Sequence, residues 1–143
     1  MDLINVLTNY YLLSFIVAWL ISILLKAIIL SIKYSKPFNI IDGFQNGGMP
    51  SSHTTAVTSI TTAIFIMTNF SALFFAALVF SLIIISDSFG LRKNVGMQGD
   101  ALNMLLKRGK QKPLQIEHGH TFLEVLAGIF IGMAVPMIFY LLM

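Results

Sequence analysis

At 143 residues, with 57% hydrophobic and only 10% charged side chains and a mean hydropathy of +0.85, the chain carries far too little charge for an ordinary water-soluble domain. No cysteine is present, which excludes a disulfide framework and any thiolate metal centre. The net charge of +3 gives no reason to expect a nucleic-acid partner, and the composition predicts one integral membrane domain over residues 1–143.

In chain order, Met1 to Asn9 is a short head at the interface, and Tyr10 to Ile32 is a first apolar span of membrane-crossing length. It lacks a basic segment before it and a small-residue cleavage site after it, so it reads as a retained span. Its one charge, Lys26, lies two turns before the basic pair Lys33 and Lys36. The ammonium either snorkels to the head-groups or meets an anion inside the bundle. Lys36-Pro37 ends the helix, and Phe38 to Met49 is a polar loop.

Gly47-Gly48-Met49-Pro50-Ser51-Ser52-His53 then opens a second span. Two glycines free the backbone, Pro50 is suited to the first turn of a helix, and Ser51 and Ser52 bring in a histidine where an apolar run starts. Unpaired N–H groups at a helix start attract anions, so the stretch reads either as a phosphate cradle or as a plain helix cap. The span, about Ser52 to Thr68, carries a stripe of hydroxyls at Thr54, Thr55, Thr58, Thr61 and Thr62 that is expected to face other helices.

Asn69 to Ser71 is a turn and Ala72 to Ser86 a short third span, which Asp87 is expected to break. From Asn94 to Gly119 the chain is polar, with an amphipathic interfacial helix expected over Asp100 to Arg108. Thr121 to Met143 is the last span. It opens at Gly119-His120, carries Glu124, and holds Gly128-x-x-x-Gly132, a spacing that admits a close neighbour. That neighbour is either another helix of the protomer or a second copy, and a homodimer is expected.

The fold class predicted is thus all-α: about four transmembrane helices in a compact bundle, with a polar interfacial loop or helix between the third and fourth. All nine Lys and Arg then fall on one side, which the positive-inside rule assigns to the cytoplasm with both termini outside, in the plasma membrane. The same side collects His53, His120, Glu124, Lys26 and Arg92. His120 and Glu124 are an i, i+4 pair, so the carboxylate reaches the imidazole and fixes its tautomer, though a buried helix acid could serve any nearby base. A nucleophile with its orienter, a second proton carrier and cations are what in-line phosphoryl transfer needs. Lys26, Arg92, Gly47, Gly48, Ser51 and Ser52 are the candidate phosphate ligands; Asp87, Gln98 and Asn103 are candidate supporting residues.

GGMPSSH followed by DxxGxR, GxQ, LN and GHxxxEV resembles the divergent membrane branch of the type 2 phosphatidic acid phosphatase superfamily, the acid phosphatase/vanadium-dependent haloperoxidase-related proteins. The likeness extends from about Lys26 to Gly132. Pro50-Ser51-Ser52-His53 matches the superfamily's second motif, P-S-x-H, and His120 with Glu124 is similar to its third with glutamate for aspartate. The resemblance implies His120 as the nucleophile forming a phosphohistidine, His53 as the acid for the leaving group and Glu124 as the orienting carboxylate. Leu114 stands where the third motif has an arginine, and Lys26 is not at the first motif's usual spacing from Lys36-Pro37.

Two functions of different class follow. One is an enzyme, a lipid phosphate phosphohydrolase or phosphoryl transferase acting on a phosphatidate-type or polyprenyl (pyro)phosphate lipid. The other is a non-catalytic lipid-phosphate binder or translocator. No cofactor is expected. Asp87, Asp100, Glu117 and Glu124 are too scattered in sequence to predict a metal site.

Overall fold

The computed structural model describes residues 9–45, 47–114, 116 and 119–143, with the side chains of all of these except Phe89, Arg92 and Lys93. Glu117 and the side chain of Arg92, both named above, therefore lie outside the described residues. The described chain is all helical. Its elements are α1 (Tyr10–Lys33), a 3-10 turn (Ile40–Phe44), α2 (Ser52–Thr68), α3 (Ala72–Ser86), a π-helical turn (Asp87–Leu91), α4 (Arg92–Arg108) and α5 (Phe122–Leu142).

Hydroxyl-rich α2 is the hub: α1, α3 and α5 all pack on it, and α1 also meets α5. Of the hydroxyl stripe, Thr54, Thr55 and Thr61 are buried, as is Ser59 beside it, whereas Thr58 and Thr62 are half-buried. Toward α3 the stripe forms a small polar ladder, Thr61 Oγ1 to Ser81 Oγ at 2.7 Å and Ser81 Oγ donating to the Val57 carbonyl at 3.2 Å. α1 presents small residues at every fourth position, Ser14, Ala18 and Ser22, before Lys26, all fully buried. Toward α5 the contact is backbone on backbone. A Cβ at Gly128 would stand 2.7 Å from the Ser51 carbonyl oxygen, and one at Gly132 2.8 Å from that of Thr55. The close approach expected at Gly128-x-x-x-Gly132 is therefore made within the chain, and the expectation that these glycines serve a second copy is corrected: both are buried against α2.

Polarity runs inside out for a protein in water. Ser, Thr, Lys26 and His120 lie in the interior among Ala, Ile and Val, while Phe80, Ile83, Phe130 and Leu141 stand more than half exposed. In a bilayer this is the favourable arrangement, because hydrocarbon accepts the apolar exterior and helices satisfy their own backbone. α1 and α5 are long and apolar enough to cross a membrane; α3 is apolar but only 15 residues long. At 1.5 Å per residue α2 and α3 rise roughly 25 and 22 Å, short of a hydrocarbon core of about 30 Å.

Three local expectations are corrected. Asp87 does not break the third helix: the chain continues through the π turn into α4, which begins at Arg92, eight residues before the expected Asp100. Nucleating a helix is the costly step, so a polar segment continues one that apolar packing has already started. Gly99 is also close-packed, since a Cβ there would lie 2.9 Å from Ile116. The loop Phe38 to Met49 contains the 3-10 turn, capped by Asn39, whose side chain accepts the Ile41 N–H. Pro50 is not in the first turn of α2; it follows a cis peptide bond and precedes the N-cap, Ser51.

Candidate functional site at the α2 N-terminus

Lys26 is the centre of the arrangement, and its loop is built to meet it. Asp42 binds Lys36 Nζ at 2.8 Å and accepts from Gln45 Nε2 at 2.9 Å, which pins the loop after the 3-10 turn. Gly43 sits so close to α1 that a Cβ would overlap the Ile23 carbonyl oxygen. The Gln45 carbonyl is thereby aimed at Lys26 Nζ, 3.1 Å away, and the ammonium also donates to Ser52 Oγ at 3.4 Å. Lys26 is completely buried, so snorkelling is ruled out. An ammonium has three donors, and among the described residues two are engaged, leaving one for an anion. Gly48, at φ +83°, lies along the Lys26 stem; Gly47, at φ 80°, shares the left-handed backbone that makes glycine the fitting residue at both positions.

Ser51 has a structural role. Its hydroxyl accepts from the Thr54 N–H at 3.4 Å and the Thr54 hydroxyl at 3.0 Å, and its N–H donates to the Glu124 carbonyl at 3.0 Å. The Ser51 side chain thus caps α2, and its backbone N–H ties α2 to the start of α5; its hydroxyl accepts in both of its bonds with Thr54. The Ser52 hydroxyl lies beside the Lys26 ammonium at the positive end of α2, whose first N–H groups have no intrahelical partners.

His120 comes to the same end of the bundle. It is 3% exposed, its N–H donates to the Ser88 carbonyl at 3.0 Å, and its Nδ1 lies 3.0 Å from Glu124 Oε2. A carboxylate only accepts, so Nδ1 carries the proton that faces Glu124. Glu124 Oε2 also accepts the Thr121 N–H at 3.0 Å, while Thr121 Oγ1 accepts the Glu124 N–H at 3.4 Å. This is a reciprocal helix cap, legible in Thr121-x-x-Glu124 but not read there as one. The Ser51 N–H bond to the Glu124 carbonyl joins this half of the site to the helix end at Lys26.

His53 opens α2 beside Ser52 and is half-buried; Asp87 starts the π turn next to Ser88. Gln98 is exposed on α4. The Asn103 side chain donates to the Leu114 carbonyl at 2.9 Å and accepts the Leu114 N–H at 2.7 Å, folding the following segment back on α4. Sequence reading missed Gln45, Asp42, Ser88 and Thr121.

With lysine, helix end, histidine and carboxylate in place, comparison decides the lineage. The divergent PAP2 family matches residues 7–135, a segment that holds every residue of the site. The chain belongs to that family. One member-like relative is the uncharacterized membrane protein YuiD of Bacillus subtilis (strain 168), 29% identical over 94% of this chain and 96% of that protein. No solved structure matches. Divergent PAP2 membership, a membrane relative and two span-length helices in an apolar exterior make this a membrane protein.

Proposed function

We propose that the chain is a lipid phosphate phosphohydrolase or phosphoryl transferase, working through a phosphohistidine on a phosphatidate-type or polyprenyl (pyro)phosphate lipid. The observation that carries this reading is the His120–Glu124 pair at 3.0 Å, tied through the Ser51–Glu124 backbone bond to the helix end where Lys26 is buried. His120 Nε2 attacks phosphorus as the bond to the lipid oxygen breaks, and His53 protonates that oxygen. Water then attacks phosphorus, the N–P bond breaks, and His53 takes the proton. Lys26, Arg92 and the α2 N-terminus offset the charge on the equatorial oxygens.

In this proposal all four apolar helices span the membrane. The site faces the cytoplasm at the plasma membrane, with both termini outside, because the nine Lys and Arg fall on one side. Phosphate release from a panel of lipid phosphates by purified protein in detergent, with and without chelator, tests the activity. Release lost in His120→Ala supports it. A second reading, a non-catalytic binder or translocator of the same head-group, is favoured by Leu114 in place of the third-motif arginine. It predicts lipid-phosphate binding without turnover.

A further inference from the structure

α3 and α5 both pack on α2 without closing on each other, and the gap is a cavity of about 390 Å³. Thr58, Thr62 and Phe65 of α2 contribute to its lining, as do Leu78 and Ile85 of α3 and Ile129 of α5. One end is at Ile85, whose carbonyl accepts the Ser88 hydroxyl; Ser88 in turn accepts the His120 N–H. The other end is at Phe65, Phe70 and Phe74. Along α3, from Phe74 to Ile85, the groove rises roughly 16 Å. The groove therefore runs along about half of a hydrocarbon core, and its upper end at Ile85 is joined to His120 through Ser88.

The lining is almost wholly apolar but includes unspent hydroxyls. Thr61 is paired with Ser81 at 2.7 Å, whereas Thr58 and Thr62 have no hydrogen-bond partner among the described residues. A hydroxyl left unpaired in an apolar surround is costly. Thr58 follows Ser52 by six residues, a rise of roughly 9 Å, and helical side chains lean toward the N-terminus, which brings its oxygen nearer the site. That is the depth of the glycerol esters of a lipid whose phosphate lies at Ser52.

We propose that this groove holds a hydrocarbon chain of the bound lipid and that the Thr58 hydroxyl donates to an ester oxygen, making Thr58 a specificity residue for acyl-glycerol over polyprenyl or ether lipids. The placement of the head-group rests on the function proposed above. A polyprenyl phosphate has no oxygen at that depth, so it gains nothing from Thr58. Thr62 lies one turn deeper, among methylenes only.

The test offers purified protein a diacyl phosphatidate, its diether analogue with the same chains, and a polyprenyl phosphate, reading turnover and, by native mass spectrometry, bound lipid. Thr58→Val should lower kcat/KM and occupancy for the diester about three- to tenfold, the worth of one hydrogen bond, and leave the other two unchanged. Thr62→Val should change none of the three. Leu78→Trp, which fills the groove, should expel all long-chain lipids while a short water-soluble phosphate monoester still binds. Equal effects of Thr58→Val on diester and diether, no effect on either, or long-chain binding that survives Leu78→Trp would overturn the proposal. So would a dimer in which a second copy fills the groove and lipid does not compete. If no lipid is turned over, occupancy by diacylglycerol, which lacks the phosphate, still tests the groove, and the catalytic reading fails separately.

Discussion

Each side chain at the α2 N-terminus has a distinguishable job. Lys26→Met keeps the buried volume, and Glu124 retains Thr121 and His120 as partners, so the fold should survive with a thermal midpoint near wild type. Lipid-phosphate affinity should fall by about 1.5–3 kcal/mol, the worth of a hydrogen bond to a charged group, read as a 10- to 100-fold rise in Kd. Glu124→Gln accepts more weakly at Nδ1 and should lower turnover by about 10- to 100-fold with the helix intact. His53→Ala should cost about 100- to 10,000-fold, most with poor leaving groups, since a good leaving group needs no proton. The His120–Glu124 pairing was legible because four residues on a helix put two side chains on one face. The nearer partner of Lys26 was not, because it is a backbone carbonyl: every residue has one, and only the folded loop selects that of Gln45.

At the scale of elements, the site depends on two backbone contacts that no larger residue allows. Gly128→Leu would drive a side chain into Ser51 and Thr54 and should destabilise the protein by about 1–3 kcal/mol, lowering its melting temperature in detergent and separating Glu124 from the α2 cap. Gly43→Ala should shift the loop off Ile23, leaving overall helicity by circular dichroism unchanged while phosphate affinity falls, since Gln45 no longer fixes Lys26. The bounds of α2 and α3 were readable because Ser51 and Ser71 announce two apolar runs, and both helices begin at the next residue. α4 was read short because Asn94 to Gly99 has two glycines and no apolar period, whereas its helix is continued from α3. The Gly128 spacing signalled a close neighbour but could not name it.

For the whole molecule, the lopsided placement of Lys and Arg predicts topology. A single cysteine introduced at Lys110 should resist an impermeant thiol reagent in intact cells and react after permeabilisation, and one at either terminus should react from outside. Labelling of the Lys110 position from outside would contradict that orientation. The polar interior and apolar exterior have one functional meaning here: a buried lysine and a buried histidine reach the same helix ends because lipid, not water, covers the rest. The most direct measurement is to mix the His53→Ala protein with lipid phosphate, quench under alkaline conditions that preserve phosphohistidine, and map the modified peptide by mass spectrometry. A phosphoryl group on His120, absent in the His53→Ala/His120→Ala double variant, is the predicted result; lipid bound at full occupancy with His120 unmodified and no phosphate released by the wild type would contradict it.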